Sequence, residues 1–365
     1  MSKFFGERLK LEIYGGSHEK IIGVKIDGIE KGTVIDEEAL AAFMARRAPG
    51  RDKFSTPRKE ADAVEFLSGV EGGVCNGGEI HAVIRSTNQR SSDYSQFFDT
   101  PRPSHADYVA RVKYNGEVNM SGGGPFSGRM TAPLCIAGSI ALQMLEKMGI
   151  YIGAHLYLVK DAADTPFDAV NVNSAELSAI KQKDFPVIDE CAGEAMKERI
   201  LSARAKGDSV GAVIECAVVG MPVGIGGPLF EGLEGKISSI AFAVPAVKGI
   251  EFGSGFGCVG MYGSEHNDPF DTKDGKIVTT TNNSGGIQGG ISNGMPLVFR
   301  AALKPTPSIA MPQQSVSLSA MERAQLSIVG RHDPCVGVRA VPVMEAVAAI
   351  AVLDSILSNK QAKRK

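Results

Sequence analysis

The fold depends on one stretch, Thr131-Ala132-Pro133-Leu134-Cys135-Ile136-Ala137-Gly138-Ser139-Ile140-Ala141, which predicts a buried helix within residues 128–148. Small residues lie all round this helix, so we expect it to pack closely against neighbours on more than one side. Pro133 suits the first turn of a helix, and Gly149 suits the position after its last turn. We therefore expect this helix to lie inside the fold.

Predicted strands and helices are mixed irregularly on both sides of this helix. The strands lie at 9–13, 22–26, 63–70, 79–85, 151–159 and 209–219. The other helices lie at 37–47, where Asp36 is a suitable N-cap, at 189–205 and at about 339–358. Because strict βαβ alternation is missing, the pattern favours an α+β fold over a doubly wound parallel sheet. With no linker-like stretch, it predicts a single domain over 1–359 and a basic C-terminal tail at 360–365.

Composition excludes several classes of function. The 365 residues are 43% apolar and carry 39 basic and 41 acidic side chains, a balance that argues against a general nucleic-acid-binding surface. The six cysteines are scattered without the spacing of a zinc or redox site, so we expect no metal centre. No signal peptide or uninterrupted apolar run of about 20 residues is evident, which predicts a cytoplasmic protein with no membrane segment.

Glycine is clustered rather than periodic, with 43 residues in the chain. Residues 255–260 match the G-x-G-x-x-G pattern of dinucleotide-binding folds, but the sequence after them is a poor helix. Loop or strand packing explains this match better than a Rossmann site. Residues 285–294 leave backbone N–H groups that no Cβ shields, which suits close approach to a ligand.

Three segments carry candidate proton-handling groups. Residues 330–335 place an Arg, a His and an Asp between a Gly and a Pro, with a Cys after the Pro, and either a solvated turn with an Arg–Asp pair or a functional loop explains them. His18 lies in a glycine-rich turn between two strands, where an exposed histidine without a role is the alternative. His105 lies at a predicted helix start with Ser104 as a possible cap, where the helix dipole would lower the histidine pKa, and a plain solvated histidine is the alternative.

Cationic and hydroxyl side chains predict a site for an anion. The run 304–308 reads Lys-Pro-Thr-Pro-Ser after an apolar strand, which suits a phosphate, although a turn at a sheet edge is the alternative. Many arginines lie beside Gly, Pro or Ser rather than on helix faces. Together with the histidines and the aspartate, they predict a pocket for a small ligand with several negative charges.

These motifs together resemble those of the chorismate synthase family along nearly the whole chain. They lie at 15–18, 46–50, 68–70, 90–94, 102–108, 122–124, 207–209, 245–249, 289–294, 304–308 and 330–335. The resemblance implies an enzyme of the shikimate pathway that converts 5-enolpyruvylshikimate 3-phosphate to chorismate and phosphate by 1,4-anti elimination. It implies reduced FMN as cofactor, a β-α-β sandwich with a helical layer between sheets, and a homotetramer. It leaves open whether the protein reduces its own flavin with NADPH.

The resemblance also assigns residues by motif. His18 would protonate or steady the departing phosphate, His105 would set the protonation state of the reduced flavin, and Asp333 would assist proton loss at flavin N5. The residues that would hold substrate anions are Ser17, Arg102, Arg129 and Arg331. The residues that would contact FMN are Arg47, which is also linked to NADPH, Lys53, Pro125, Phe126, Ser127, Pro245, Ala246, Gly289, Lys304, Pro305, Thr306, Pro307, Ser308 and Arg331.

Some positions depart from the family pattern. Ser104 replaces the usual glycine, Lys53 replaces an arginine, and Glu19 follows His18 where glycine is usual. The segment 121–131 lacks an arginine and an acidic residue, so the side chains at 125 and 126 cannot make the usual contacts there. Two rival hypotheses follow: a flavin-binding paralogue without the elimination activity, and a non-flavin protein that binds anionic metabolites. The second would leave the glycine-rich loops unexplained.

Overall fold

The computed structural model describes residues 2–50, 54–55, 60–86, 97–328 and 333–362. Its strands are β1 (Ser2–Phe5), β2 (Lys10–Tyr14), β3 (Ile21–Asp27), β4 (Val64–Ser68), β5 (Val70–Glu71), β6 (Val74–Cys75), β7 (Ile80–Arg85), β8 (Tyr151–Val159), β9 (Ala162–Ala163), β10 (Ala212–Val219), β11 (Val247–Phe252), β12 (Phe270–Lys273), β13 (Lys276–Thr279), β14 (Ile287–Gln288), β15 (Ile291–Ser292), β16 (Leu297–Leu303), β17 (Gln313–Ser317) and β18 (Glu322–Leu326).

Its α-helices are α1 (Glu37–Arg47), α2 (Asp107–Lys113), α3 (Thr131–Glu146), α4 (Ser174–Lys181), α5 (Glu190–Ala205), α6 (Leu233–Ala243), α7 (Gly263–His266) and α8 (Gly337–Ala362). The helix caps follow the sequence. Asp36 accepts a hydrogen bond from the N–H of Ala39 at the start of α1, and Asp189 accepts one from the N–H of Cys191 at the start of α5.

Two antiparallel five-stranded sheets form two layers of the fold, and α4 packs on the far face of the second sheet. The first has the order β1-β2-β3-β7-β4, and the second has the order β11-β16-β10-β8-β9. Alternation in β2 and β3 turns Leu11, Ile22 and Val24 into the core, where each is at most 4% exposed. The remaining strands pair as two-stranded ribbons.

A helical layer lies between the sheets. Helix α3 packs on β2, β3 and β7 of the first sheet, and α8 packs on β8 and β10 of the second. The two helices also pack on each other, and nearly every residue of α3 is buried. This arrangement confirms the predicted α+β sandwich with a helical layer, and the small residues of α3 explain its close contacts on both sides.

Helix α8 is long and apolar enough over Gly337–Asn359 to cross a membrane by those criteria alone, but 94% of that window is buried inside the protein. Core helices of globular proteins have the same character, so α8 is read as the central helix. It continues through Ala362, so the tail predicted at 360–365 begins inside this helix, and residues 363–365 lie outside the described residues.

Local predictions had mixed outcomes. Strand β8 has the predicted bounds, and the apolar strand predicted before Lys304 is β16. The prediction that Ser104 caps a helix is wrong, because α2 begins at Asp107 with Ala106 at the N-cap position and Ser104 has a φ of +57°. Helices α4 and α6 and the hairpins β12–β13 and β17–β18 were not predicted, since their patterns are short.

Candidate active site

A cavity of about 830 Å³ lies where loops of the first sheet meet the start of α8 and the end of β16. Its lining includes most of the residues that the sequence singled out, namely Ser17, Arg47, Arg102, His105, Pro125, Phe126, Ser127, Arg129, Pro245, Ala246, Lys304, Thr306, Pro307, Ser308 and Asp333. The volume falls near the upper end of the range of roughly 300–1,000 Å³ that is typical of small-molecule sites.

Five of the predicted site residues are missing from the cavity lining, which is known only for the described part of the chain. His18 lies behind the glycine loop at 122–124. Gly289 lies at the turn between β14 and β15, and Pro305 lies beside Gly211. Lys53 and Arg331 lie outside the described residues, so their predicted contacts remain predictions.

The glycine loop at 122–124 contacts both candidate histidines. Its three φ angles are +64°, +99° and +51°, which only glycine adopts without strain. A Cβ on Gly122 would lie 2.1 Å from Cε1 of His18, and a Cβ on Gly123 would lie 3.3 Å from Nε2 of His105. Glycine is therefore required here by close approach as well as by conformation, and the loop brings the two imidazoles to one region.

Ser17 is fixed on the same loop. Its side chain is buried, and its N–H donates a hydrogen bond to the carbonyl oxygen of Gly124 at 3.1 Å. Ser127, after the loop, accepts a hydrogen bond from the N–H of Arg129 at 3.2 Å through its Oγ. The hydroxyls predicted for ligand contact are thus held by backbone hydrogen bonds at the cavity wall.

Two predicted arginines share one buried carboxylate. Arg47 is 2% exposed and forms an ion pair with Asp62, while its Nε donates to Thr131 Oγ1 at 3.2 Å. Arg129 forms an ion pair with Asp62 and another, at 2.8 Å, with Glu60. Burial would raise the pKa of Asp62, but the two guanidinium groups outweigh it and lower that pKa.

Sequence reasoning missed Glu60 and Asp62. A signal was available, because guanidinium groups that are buried need carboxylate partners. The loop 60–62 reads Glu-Ala-Asp and is the acidic segment that supplies them.

A second buried cluster joins Arg102, His105 and Asp107. The carboxylate of Asp107 accepts from Arg102 Nε at 2.7 Å and from Arg102 Nη2 at 2.7 Å, and it lies 2.7 Å from His105 Nδ1. Arg102 Nη1 also donates to Ser308 Oγ at 3.2 Å. Sequence reasoning singled out Arg102, His105 and Ser308 but missed Asp107, which connects them.

The pKa of His105 is lowered, as the sequence predicted, but the cause differs. Burial lowers it most, and the positive charges of Arg102 and Lys304 lower it further, while Asp107 raises it. The sequence attributed this direction to a helix dipole. Helix α2 has seven residues and begins two residues after the histidine. At neutral pH the imidazole is therefore held in its uncharged form.

The Lys304 segment forms another part of the cavity wall. Lys304 Nζ donates to the carbonyl oxygen of Ser104 at 2.5 Å, and its pKa is lowered by burial and by Lys248. Ala246 adopts a φ of +78° and accepts a hydrogen bond from the N–H of Lys304 at 2.9 Å. A left-handed alanine costs about 1 kcal/mol or more, and such strain is often found at ligand sites.

Asp333 reaches the cavity at the start of α8. Its Oδ2 accepts from Arg339 Nη1 at 2.7 Å, and Arg339 Nε donates to the carbonyl oxygen of Arg47 at 3.2 Å. Cys335 is fully buried, and burial raises its pKa to about 12, so this thiol is a packed core residue. Of this loop, Asp333 lines the cavity, while Arg331 and His332 lie outside the described residues, so the functional role of the loop stays a prediction.

The remaining candidates do not form sites. Residues 255–260 form a 3₁₀ helix in which Phe256 and Val259 are more than 80% exposed, and the following helix α7 has four residues, so the structure does not support a Rossmann loop. Among the described residues, no group of three or more His, Cys, Asp or Glu side chains is placed to hold a metal ion.

Comparisons with known proteins agree with one another. The family model described as Chorismate synthase matches residues 9–357. The chorismate synthase of Lancefieldella parvula is 43% identical, with 98% of this chain and 97% of that protein covered, and that of Thermococcus kodakarensis is 42% identical, with 97% and 98% covered. A solved structure titled Crystal Structure of Chorismate Synthase superposes with a TM-score of 0.75 at 24% identity, covering 97% of this chain and 93% of that chain, and supports the fold alone.

Proposed function

The chain belongs to the chorismate synthase family, and we propose on that premise that it catalyses the 1,4-anti elimination of phosphate from 5-enolpyruvylshikimate 3-phosphate to give chorismate. In this reaction a C–O bond to phosphate and a C–H bond break, and a second ring double bond forms without net redox change. The observation that carries the proposal is that His105, Asp333 and a cationic wall line the same cavity.

The charge of the cavity suits the substrate. Among the described lining residues, six side chains are cationic and two are carboxylates; the cations are Arg47, Arg102, Arg129, Lys248, Lys304 and Arg339. The substrate carries two carboxylates and a phosphate, so its binding needs several cations. Arg129 Nε and Thr306 Oγ1 are buried at this wall without a hydrogen-bond partner among the described residues, and each can bind an anionic oxygen.

The cavity also fits FMN. The rings of Tyr114 and Phe126 line it with their centroids 6.4 Å apart, so one part of the wall is aromatic while another is cationic. A flat ring system with a phosphate tail has the same two parts. Ser127, Ala246, Lys304, Thr306, Pro307 and Ser308 line this cavity and would hold it. The C–H bond is too weakly acidic for an ordinary base, and reduced FMN would lend electron density to the substrate as the phosphate leaves.

The proton-handling groups are held in defined positions. Asp333 is oriented by Arg339, so its carboxylate is directed along the cavity wall and can accept a proton there. His105 is held uncharged by burial and can exchange a proton through Nε2. His18 lies against the glycine loop beside Ser17, where it would steady or protonate the departing phosphate.

The test is an anaerobic assay with full-length protein, reduced FMN and 5-enolpyruvylshikimate 3-phosphate, in which phosphate and chorismate are both measured. We expect equal amounts of the two products, and no product with oxidised FMN. Flavin binding without product would favour the inactive paralogue, and no flavin binding would favour the non-flavin protein. His18→Asn should lower turnover, whereas the matched His266→Asn, at the end of α7, should not.

The environment of Arg47 bears on whether this protein reduces its own flavin with NADPH. By resemblance this residue is linked to NADPH, but its guanidinium is 2% exposed and is engaged by Asp62 and Thr131. We therefore propose that an outside reductant supplies the reduced flavin. Mixing the protein with oxidised FMN and NADPH should give no more NADPH oxidation than free FMN gives, and faster oxidation would contradict this.

The proposed assembly is a homotetramer in the cytoplasm. Large apolar side chains are exposed on the second half of the chain, including Phe230 at 96%, Val259 at 85% and Tyr262 at 78%. Contiguous patches of exposed apolar side chains commonly mark protein contacts, so these positions are where we would look for the interfaces between chains. Light scattering should give the mass of four chains, and a monomeric mass would contradict the proposed assembly without affecting the proposed reaction.

A further inference from the structure

Asp107 lies behind His105 on the side away from the cavity. It is 6% exposed, and its two carboxylate oxygens are approached by donors from Arg102 and His105. Oδ2 accepts from the backbone N–H of Arg102 at 3.0 Å and from Arg102 Nε at 2.7 Å. Oδ1 is approached by Arg102 Nη2 at 2.7 Å and by His105 Nδ1 at 2.7 Å. The carboxylate is thus shared between a guanidinium and an imidazole.

These contacts determine which ring nitrogen of His105 carries a proton. Burial would raise the pKa of Asp107, but hydrogen bonds from Arg102 and His105 outweigh it and lower that pKa, so the group is a carboxylate at neutral pH. A carboxylate only accepts hydrogen bonds. A separation of 2.7 Å from Oδ1 to Nδ1 is too short for two unprotonated acceptors, so it favours a proton on Nδ1.

One contact favours the opposite arrangement, in which Nδ1 of His105 carries no proton. Arg102 Nη2 lies 3.1 Å from His105 Nδ1, and it could donate to an unprotonated Nδ1. However, the same Nη2 lies closer to Oδ1 of Asp107, at 2.7 Å. Two acceptors, Oδ1 and a bare Nδ1, would then face each other at 2.7 Å without a proton between them. If Nδ1 carries a proton, Nδ1 and Arg102 Nη2 both donate to Oδ1 and this repulsion does not arise.

The other ring nitrogen faces the glycine loop. A Cβ on Gly123 would lie 3.3 Å from Nε2 of His105, so the absence of a side chain leaves room beside this atom. Because the imidazole is uncharged and its proton is on Nδ1, Nε2 presents a lone pair. His105 lines the cavity, so this lone pair is available to a proton there.

We propose that Asp107 is a positioning residue that fixes His105 in the Nδ1–H tautomer and so presents Nε2 to the cavity as a proton acceptor. Arg102 holds the carboxylate in place for this task while it occupies the cavity wall with its remaining N–H groups. A carboxylate behind a histidine has this effect in other enzymes, where loss of its charge gives the wrong tautomer. The inference rests on the proposed function for the reaction that His105 serves, but the tautomer can be measured without turnover.

The experiment is solid-state ¹⁵N NMR of the full chain labelled at histidine, with His105 identified by its loss in His105→Gln. In the unmodified protein we expect Nδ1 of His105 to be protonated and Nε2 to be unprotonated. In Asp107→Asn the carbonyl oxygen can keep the two Arg102 bonds made by Oδ2, while the amide N–H faces Nδ1 and forces the proton to Nε2. The matched control Asp168→Asn, in an exposed turn, should leave the tautomer unchanged.

The kinetic readout is a fall of at least about 10²-fold in kcat for Asp107→Asn, with a smaller change in KM. A proton on Nε2 of the unmodified protein, or an unmoved tautomer in Asp107→Asn, would overturn the inference. If Asp107→Asn does not fold, the spectrum of the unmodified chain still decides. A protein that makes no chorismate but shows the tautomer switch would refute the proposed function and leave this inference standing.

Discussion

Gly138 of α3 and Ala346 of α8 touch at the centre of the protein, where a Cβ on Gly138 would lie 2.2 Å from the Cβ of Ala346. The two helices approach so closely because one of them has no side chain at this crossing. Both positions lie in the helical layer between the sheets, and α8 also carries Arg339, which orients Asp333. The separation of the two helices therefore influences the wall of the cavity.

Gly138→Ala should destabilise the protein by about 1–3 kcal/mol, because the added methyl group overfills a packed core. Thermal or denaturant unfolding measures the change. Adding Ala346→Gly should recover part of the loss, so that the double variant is more stable than the sum of the single effects predicts. The control is Gly235→Ala in α6, where nothing lies within 4 Å of the new Cβ, and which should be neutral or stabilising. Additive effects at 138 and 346 would contradict the contact.

Gly122→Ala should remove activity by displacing His18. Its Cβ would lie 2.1 Å from the imidazole, and its φ of +64° adds a backbone cost of about 1 kcal/mol. Gly116→Ala is the matched control, because Gly116 has a φ of +75° but nothing within 4 Å of the new Cβ. We expect a small loss of stability in Gly116→Ala, a larger loss in Gly122→Ala because its methyl group also displaces His18, and a loss of turnover in Gly122→Ala alone. Equal turnover in the two would show that the position of His18 is unimportant.

Stability should depend on pH through His155, a buried histidine remote from the cavity. Burial lowers its pKa, but hydrogen bonds to Asp164 and Glu215 at 2.8 and 2.9 Å outweigh it and raise that pKa. Folding therefore takes up a proton, and the stabilisation is complete below the unfolded pKa of about 6.5 and lost as the pH rises through the folded pKa.

The measurement is the unfolding free energy from pH 6 upward, compared between the unmodified chain and His155→Gln. We expect the decline with pH to be weaker in the variant, which should also be less stable by about 3 kcal/mol, because the buried Asp164 loses its cationic partner and Glu215 keeps only Arg300. His266→Gln, at the end of α7, should keep the unmodified profile. Parallel pH profiles for His155→Gln and the unmodified chain would contradict the linkage.

Sequence patterns predicted most of the layers because each layer has its own periodicity. Alternation of apolar and polar residues predicted the strands of the first sheet, and small residues on all sides predicted α3. The partner of Gly138 could not be predicted, since Ala346 lies more than 200 positions away and many alanines in the chain are equivalent in sequence. Contacts between distant elements are set by the assembled fold rather than by local pattern.

In the candidate site too, local motifs identified some residues, while partners that are distant in the sequence were missed. Motifs drew attention to Arg47, Arg129 and His105, whose residue types are unusual beside glycine and proline. The carboxylates Asp62 and Asp107 were missed, because an aspartate that pairs with a buried arginine has the same local sequence as one in solvent. The lowered pKa of His105 was predicted in direction but not in cause, since burial cannot be read from a helix start.

Asp333→Asn should cut turnover by about 10²–10⁴-fold while FMN binding stays close to that of the unmodified chain. The asparagine carbonyl oxygen can still accept from Arg339 Nη1, which now bonds Oδ2 at 2.7 Å, so the loop and the start of α8 should keep their positions. What is lost is the capacity to accept a proton. Asp271→Asn, in the exposed strand β12, is the matched control and should turn over normally. Single-turnover rates and flavin titration measure the two effects separately, and normal turnover in Asp333→Asn would remove this carboxylate from the mechanism.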